Sequence, residues 1–132
     1  MPSPERMPIR SDDDIVRIRQ EVRRLSQELG LSLVDLTKLV TAASELARNT
    51  LVHGGGGEMR VERIDSGGRD GLRLAFCDQG PGIPDLDQAL RDGFTTGGGL
   101  GLGLGGARRL VNEFSLDSTP GRGTTVTITK WR

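Results

Sequence analysis

Residues 94–110, FTTGGGLGLGLGGARRL, contain seven glycines and lead into an apolar segment with helical spacing. Because glycine has no side chain, a glycine-rich loop can bring backbone N–H groups close to an anion such as a phosphate. Residues 101–106 also match GxGxxG, the pattern of dinucleotide-binding loops. This stretch predicts a nucleotide-binding fold. The segments around it indicate which kind of nucleotide is bound.

The surroundings of the glycines do not fit a dinucleotide loop. A Rossmann loop directly follows a strand and is followed by an acidic residue about 20 positions later. Here the preceding strand-like segment ends at residue 78, a helix-like segment at 86–92 intervenes, and Glu113 and Asp117 come too early. A P-loop is excluded because Gly-Lys-Ser/Thr does not occur. A different phosphate-binding loop is therefore favoured, the alternative being a flexible surface loop.

Composition excludes several classes of function. The chain has 132 residues, with 18 basic and 18 acidic side chains and no basic block, which argues against binding to nucleic acid or a membrane surface. No apolar run approaches the ~20 residues of a membrane span. One cysteine and one histidine cannot form an internal disulfide or a zinc site. We expect a cytoplasmic protein whose metal, if it has one, is a hard ion with oxygen ligands.

Hydrophobic spacing predicts an α+β fold. Helices are expected at about 11–30, 32–53, 86–92 and 102–114, with Ser11 and Ser32 as N-caps and Gly30 as a stop signal. Strands are expected at 7–10, 58–64, 72–78, 115–118 and 124–131. This order predicts one domain over residues 1–132, a two-layer sandwich with helices on one face of a mixed, mostly antiparallel sheet, with residues 1–6 disordered.

Two further stretches contain candidate site residues. In SELARN (44–49), Glu45 and Asn49 are one helical turn apart on one face. In CDQGPGIPD (77–85), Asp78 ends a strand and is followed by Gly-x-Gly. Taken singly, each stretch also fits a structural interpretation, the first as a solvated helix edge and the second as a tight turn capped by aspartate.

Together and in this order, SELARN, CDQGPGIPD and FTTGGGLGLGL resemble the nucleotide-binding boxes of the GHKL (Bergerat) ATPase/kinase superfamily, and GRGTTVTI (121–128) is similar to the strand that completes its adenine pocket. The whole chain resembles the serine/threonine kinases of bacterial partner-switching systems, most of all the stressosome switch kinases of the RsbT type.

The resemblance implies an adenine site. Asp78 would accept a hydrogen bond from the exocyclic amine of adenine, which a 6-keto purine cannot donate, so ATP is expected rather than GTP. Gly80 and Gly82 would let the backbone approach the base, Ile83 would pack against it, and Thr124 would support it through its hydroxyl group.

The resemblance also implies a phosphate and metal site. Asn49 would be a Mg²⁺ ligand and Glu45 the general base that deprotonates the attacking hydroxyl. The glycine loop would be the ATP lid, binding the phosphates through Thr96, Gly98, Gly99, Leu100, Gly101, Leu102 and Gly103. The sequence does not identify which basic residue, if any, contacts the γ-phosphate, and Arg48 and Arg108 are candidates.

The implied activity is ATP-dependent phosphorylation of a serine or threonine on a STAS-domain protein, followed, once the kinase is released, by activation of a PP2C-type phosphatase. One alternative is an anti-sigma factor kinase that phosphorylates an anti-anti-sigma factor and sequesters a sigma factor. Those kinases usually have a longer lid with an arginine before the last glycines, which is absent here. Another alternative is an ATP-gated binding module without transfer activity. His53 is expected to be structural or exposed.

Overall fold

The computed structural model describes residues 5–82 and 104–132. In chain order, the elements are β1 (Glu5–Ile9), α1 (Asp12–Leu29), α2 (Leu33–Val52), β2 (Gly57–Ser66), β3 (Arg69–Asp78), α3 (Leu104–Arg109), β4 (Glu113–Thr119) and β5 (Gly123–Trp131). The helix expected at 86–92 lies outside the described residues.

Local signals set the ends of the two long helices. Ser11 Oγ accepts a hydrogen bond from the Asp14 N–H at 3.3 Å, and Ser32 Oγ accepts one from the Asp35 N–H at 3.1 Å. Each hydroxyl satisfies a backbone donor that has no partner within the helix. Gly30 ends α1 with φ = 87°, in the left-handed region that only glycine enters without strain. The predicted caps and stop signal are confirmed.

The sheet has the strand order β1-β2-β3-β5-β4, and every pairing between the described strands is antiparallel. The α+β sandwich predicted from the sequence is confirmed, with α1 and α2 packed on one face of this sheet. Glu5 and Arg6 were expected to be disordered, but they pair with Val61 and Arg60 in β1. That expectation was wrong because pairing with β2 orders a polar segment that has no apolar pattern of its own.

One core joins the two layers. Leu72, Leu74 and Phe76 alternate along β3 and point toward the helices, as their spacing predicted. Further buried residues come from α1, α2 and the neighbouring strands, among them Ile15, Ile18, Val22, Leu36, Leu39, Ala43, Leu46, Met59, Val126 and Ile128. The other face of the sheet is polar, because charged and threonine side chains alternate with the core residues along the strands.

The third helix is shorter than predicted. Within the described residues it ends at Arg109, and β4 begins at Glu113, so Phe114 lies in a strand opposite Ile128. The prediction of a helix to residue 114 was wrong because Leu110, Val111 and Phe114 fit helical spacing, while Phe114 and Leu116 equally fit strand alternation. Pairing with β5 decides between the two, and it starts β4 at Glu113, two residues before the predicted start of this strand.

Candidate functional site

The last turns of α2 form one wall of a pocket. Leu46, Asn49, Thr50 and His53 recur at helical spacing and line it. Thr50 is buried, and its hydroxyl donates to the Leu46 carbonyl at 3.0 Å, which satisfies the polar group inside an apolar wall.

A run of four glycines, residues 54–57, carries the chain from α2 to β2. The Asn49 carbonyl accepts hydrogen bonds from the N–H groups of His53 at 2.9 Å and Gly54 at 3.2 Å. Gly55 and Gly56 then adopt φ values of 76° and 101°, which side-chain-bearing residues rarely adopt. These two residues turn the backbone sharply, so that it reaches β2 beside the end of β3.

Asp78 is the last residue of β3 and stands between two neighbours in the sheet, Gly57 on β2 and Thr124 on β5. Its Oδ1 accepts a hydrogen bond from the Gly80 N–H at 2.8 Å. This bond fixes the carboxylate in an Asx-type turn, the structural role that the sequence also allowed. The same carboxylate lines the pocket, so the structural and the ligand-binding interpretations are compatible.

The loop after Asp78 is packed against the β4–β5 hairpin. Gly82 has φ = 79°, and a Cβ atom there would lie 2.6 Å from the Thr119 carbonyl oxygen. The Pro81 carbonyl accepts a hydrogen bond from the Gly121 N–H at 2.8 Å. The loop therefore needs glycine at residue 82 both for its conformation and for the close approach of the hairpin.

A pair of hydroxyl groups lies at the start of β5. The oxygen atoms of Ser118 and Thr124 are 2.8 Å apart, and Ser118 also donates to the Gly123 carbonyl at 3.3 Å. Thr124 is buried, and Ser118 is its partner across the β4–β5 pairing. Ser118 therefore orients the hydroxyl group that the resemblance assigned to nucleotide support.

These elements surround a small cavity of about 40 Å³ that opens to solvent. The described residues that line it are Leu46, Asn49, Thr50, His53, Gly54, Phe76, Asp78, Gly82, Leu104, Thr124 and Val126. The lining combines apolar side chains with a few polar groups, as is typical of small-molecule sites.

Four of the candidate residues thus meet in this pocket: Asn49, Asp78, Gly82 and Thr124. Gly80 adjoins it through its hydrogen bond to Asp78. Outside the described residues lie the other candidates, Ile83, Thr96, Gly98, Gly99, Leu100, Gly101, Leu102 and Gly103. Their roles remain predictions.

Glu45 does not line the pocket. It is exposed on α2, four residues before Asn49, which corresponds to about 6 Å along the helix. Its side chain is therefore accessible to solvent, one helical turn from the pocket residue Asn49.

The two arginines that were candidates to contact the γ-phosphate have different surroundings. Arg48 points toward α1, where its Nη1 lies 3.8 Å from Asp12 Oδ1. Arg108 is exposed on α3. Neither lines the pocket in the described part of the chain.

Several pocket residues were not among the candidates predicted from the sequence. His53 is half-buried at the C-cap of α2 and lines the pocket, together with Thr50, Gly54 and Phe76. A signal was present for two of them, because the run HGGGG (53–57) directly follows the Glu45–Asn49 helix. Thr50 and Phe76 had no such signal, since their spacing is that of ordinary core residues.

No group of three or more His, Cys, Asp or Glu side chains within residues 5–82 and 104–132 could by itself hold a metal ion. The amide oxygen of Asn49 is of the type that Mg²⁺ prefers, and phosphate oxygens usually complete such a site. Over the same residues, no helix has the length and apolarity to cross a membrane.

Residues 34–132 match the family "Histidine kinase-, DNA gyrase B-, and HSP90-like ATPase". The chain is 46% identical over 123 residues to the serine/threonine-protein kinase RsbT of Bacillus subtilis (strain 168), covering 93% of this chain and 92% of that protein. It is 32% identical over 117 residues to the anti-sigma F factor of Bacillus licheniformis, covering 85% and 80%.

A similar fold occurs in the crystal structure of the RsbU and RsbW domains of Rv1364c from Mycobacterium tuberculosis, with a TM-score of 0.61 and 20% identity. That match spans all of this chain and 33% of the other, so this likeness bears on the fold alone. The family match, the identity to RsbT and the pocket agree with one another: the chain belongs to the histidine kinase-, DNA gyrase B- and HSP90-like ATPase family and, within it, to the protein serine/threonine kinases related to RsbT.

Proposed function

We propose that this protein is a Mg²⁺- and ATP-dependent kinase that phosphorylates a serine or threonine of a STAS-domain protein in a partner-switching system of the cytoplasm. When it is released from its STAS partner, it activates a PP2C-type phosphatase. The observation that supports this proposal most directly is the convergence of Asn49, Asp78, Gly82 and Thr124 on one pocket, with Glu45 exposed one turn away.

The pocket suits adenine at its Asp78 end. The Gly80 N–H donates a hydrogen bond to Asp78 Oδ1. A carboxylate accepts several hydrogen bonds, so Oδ2 could accept one from an exocyclic amine. Phe76, Leu46 and Leu104 provide apolar contacts for the ring. A 6-keto purine would present oxygen to oxygen and be rejected.

The transfer step is a direct displacement. The acceptor hydroxyl oxygen bonds to the γ-phosphorus, the bond to the β–γ bridging oxygen breaks, ADP leaves, and the hydroxyl proton passes to the Glu45 carboxylate. Mg²⁺, held in part by the Asn49 amide oxygen, would neutralise charge on the phosphate oxygens. Because Glu45 is exposed, a protein substrate can reach it, which a deeply buried base would not allow.

Relatives support the choice of partner class. The chain covers 92% of RsbT, named a serine/threonine-protein kinase, at 46% identity. Proteins named anti-sigma F factor are 27–32% identical, which makes an anti-sigma kinase the second candidate. The higher identity to RsbT and the absence of an arginine between Thr96 and the last glycines favour the first candidate.

The test is to mix the protein with Mg·ATP and STAS-domain proteins encoded near its gene, and to measure intact masses. Phosphate on a STAS serine or threonine is expected, and Glu45→Ala should lower the transfer rate by about 10²–10⁴-fold while ATP still binds. Glu28→Ala, an exposed glutamate on α1, is the matched control. ATP binding without transfer to any STAS protein would favour the ATP-gated binding module. Capture of a sigma factor would favour the anti-sigma kinase.

A further inference from the structure

Gly54 packs against the Asp78 side chain without any space for a methyl group. A Cβ atom on residue 54 would lie 2.3 Å from Asp78 Cγ, 2.5 Å from its Cβ and 2.6 Å from its Oδ2. The Asp78 Cβ atom does not move when the side chain changes rotamer, so a rotamer change alone cannot relieve the overlap.

Backbone conformation does not explain why residue 54 is glycine. Gly55 and Gly56 have positive φ, whereas Gly54 is not among the positive-φ glycines of the described chain. An alanine could therefore adopt the Gly54 conformation. The requirement at residue 54 is for space, and the atoms that fill this space belong to Asp78.

Asp78 cannot move away from residue 54. Its backbone lies between β2 and β5, where Cβ atoms on Gly57 and Gly123 would come within 1.9 Å of the Cys77 carbonyl oxygen and 2.2 Å of the Asp78 carbonyl oxygen. The strands on both sides therefore pack directly against this part of β3. The Gly80 N–H holds Oδ1 in addition, which leaves Oδ2 facing Gly54.

Gly54 also connects this carboxylate to the helix of Asn49. The Gly54 N–H donates to the Asn49 carbonyl at 3.2 Å. The Gly54 backbone also lies close to Gly80, because a Cβ atom on residue 80 would be 2.8 Å from Gly54 Cα. One residue thus contacts the end of α2, the Asp78 side chain and the loop after β3.

We propose that Gly54 is a positioning residue that determines purine specificity: by lacking a side chain it leaves Asp78 Oδ2 placed to accept the exocyclic amine of the nucleotide. This proposal rests on the assignment of Asp78 as the adenine acceptor under the proposed function. A methyl group at residue 54 would displace the carboxylate, and the protein would lose its preference for a 6-amino purine before it lost its fold.

The test compares ATP with purine riboside 5′-triphosphate, which has hydrogen in place of the 6-amino group. Dissociation constants are measured by calorimetry for the wild type, Gly54→Ala and Gln20→Ala. The wild type should favour ATP by about tenfold or more, the worth of a hydrogen bond to a charged group. In Gly54→Ala the ratio should fall close to one. Gln20→Ala, at an exposed position of α1 that does not line the pocket, should keep the wild-type ratio.

The outcomes separate this inference from the proposed function. A wild-type ratio near one would contradict the Asp78 assignment and this inference with it. A high ratio in both the wild type and Gly54→Ala would overturn the inference and leave the proposed function standing. General damage to the pocket would weaken both nucleotides equally and leave the ratio unchanged, which also overturns the inference.

If Gly54→Ala does not fold, a double variant tests whether the Asp78 side chain is the obstacle to a methyl group at residue 54. Asp78→Gly removes every Asp78 side-chain atom that the new methyl group would meet. Melting temperatures are then compared for Asp78→Gly and Gly54→Ala/Asp78→Gly. Similar values would show that Asp78 alone fills the space beside residue 54, as proposed. A double variant that melts far below Asp78→Gly, or does not fold, would place the obstacle elsewhere and overturn the inference.

Discussion

Thr124 lies directly opposite Asp78 in the antiparallel pairing of β3 and β5, and both side chains line the same pocket. A hydroxyl and a carboxylate separated by 46 positions in sequence thereby become neighbours on the helix-covered face of the sheet. Gly80 and Ser118 orient them, each through one hydrogen bond. Recognition of the base is therefore expected to depend on this pair of strand residues.

Asp78→Asn should invert the purine preference. With Gly80 still donating to the amide oxygen of the new side chain, the NH₂ group would face the base and could no longer accept a hydrogen bond from adenine. ATP affinity should fall by about tenfold or more, while inosine triphosphate, whose 6-oxygen accepts from NH₂, should bind more tightly than to the wild type. Calorimetry with both nucleotides measures the change. Asp65→Asn, at an exposed position of β2, is the control, and unchanged ATP affinity in Asp78→Asn would contradict the assignment.

Ser26→Ala should stabilise the protein. Ser26 is completely buried in α1, and its Oγ has no hydrogen-bond partner among the described residues. Removing an unsatisfied buried hydroxyl and introducing the best helix former should raise the free energy of unfolding by about 1 kcal/mol. Urea unfolding measures this, with Gln20→Ala at an exposed position of the same helix as the control. A loss of stability would mean that the hydroxyl has a bound partner.

Asp35→Asn should be more destabilising than Lys130→Met. Lys130 Nζ is buried on β5, 3.4 Å from Asp35 Oδ1, and donates to the Leu110 carbonyl at 3.3 Å. Asp35→Asn leaves this cation without its counter-charge and should cost about 1–3 kcal/mol, less than for a fully buried pair because the Asp35 side chain is 39% exposed. Lys130→Met removes the charge and keeps most of the volume, so it should cost less.

Urea unfolding of both variants measures this order. Asp13→Asn, an exposed acid in the first turn of α1, corrects for the loss of a favourable charge at a helix N-terminus. Equal losses in the two variants, or a larger loss in Lys130→Met, would contradict the prediction.

Glu58 should make stability depend on pH in the acidic range. A hydrogen bond from Arg60 Nε at 2.7 Å holds the pKa of Glu58 below its usual value. Since the pKa is lower in the folded state, the stabilisation is present above the unfolded-state pKa of about 4.3 and is lost as the pH falls through the folded-state value. The effect should be small and sensitive to salt, because both side chains are partly exposed.

Melting temperatures of the wild type and Glu58→Gln between about pH 7 and pH 3 measure this effect. The difference between them should be largest at neutral pH and disappear at the acidic end. A difference that does not change with pH would mean that the ion pair contributes nothing through its charge.

Much of the fold was determined by the sequence alone. The caps at Ser11 and Ser32, the stop at Gly30 and the alternation of Leu72, Leu74 and Phe76 all act over a few residues, so their spacing was enough to predict the elements. The candidate residues Asn49 and Asp78 were also found locally, in short stretches with characteristic glycines and a helical pair.

Features that depend on contacts between separate elements of the fold were decided only by the tertiary structure. Phe114 lies in a strand because it pairs with Ile128 of β5, 14 positions further along the chain. Gly54 is required to be small by Asp78, which lies 24 positions further along the chain. These contacts depend on how separate elements pack together, so neither spacing nor composition could have predicted them.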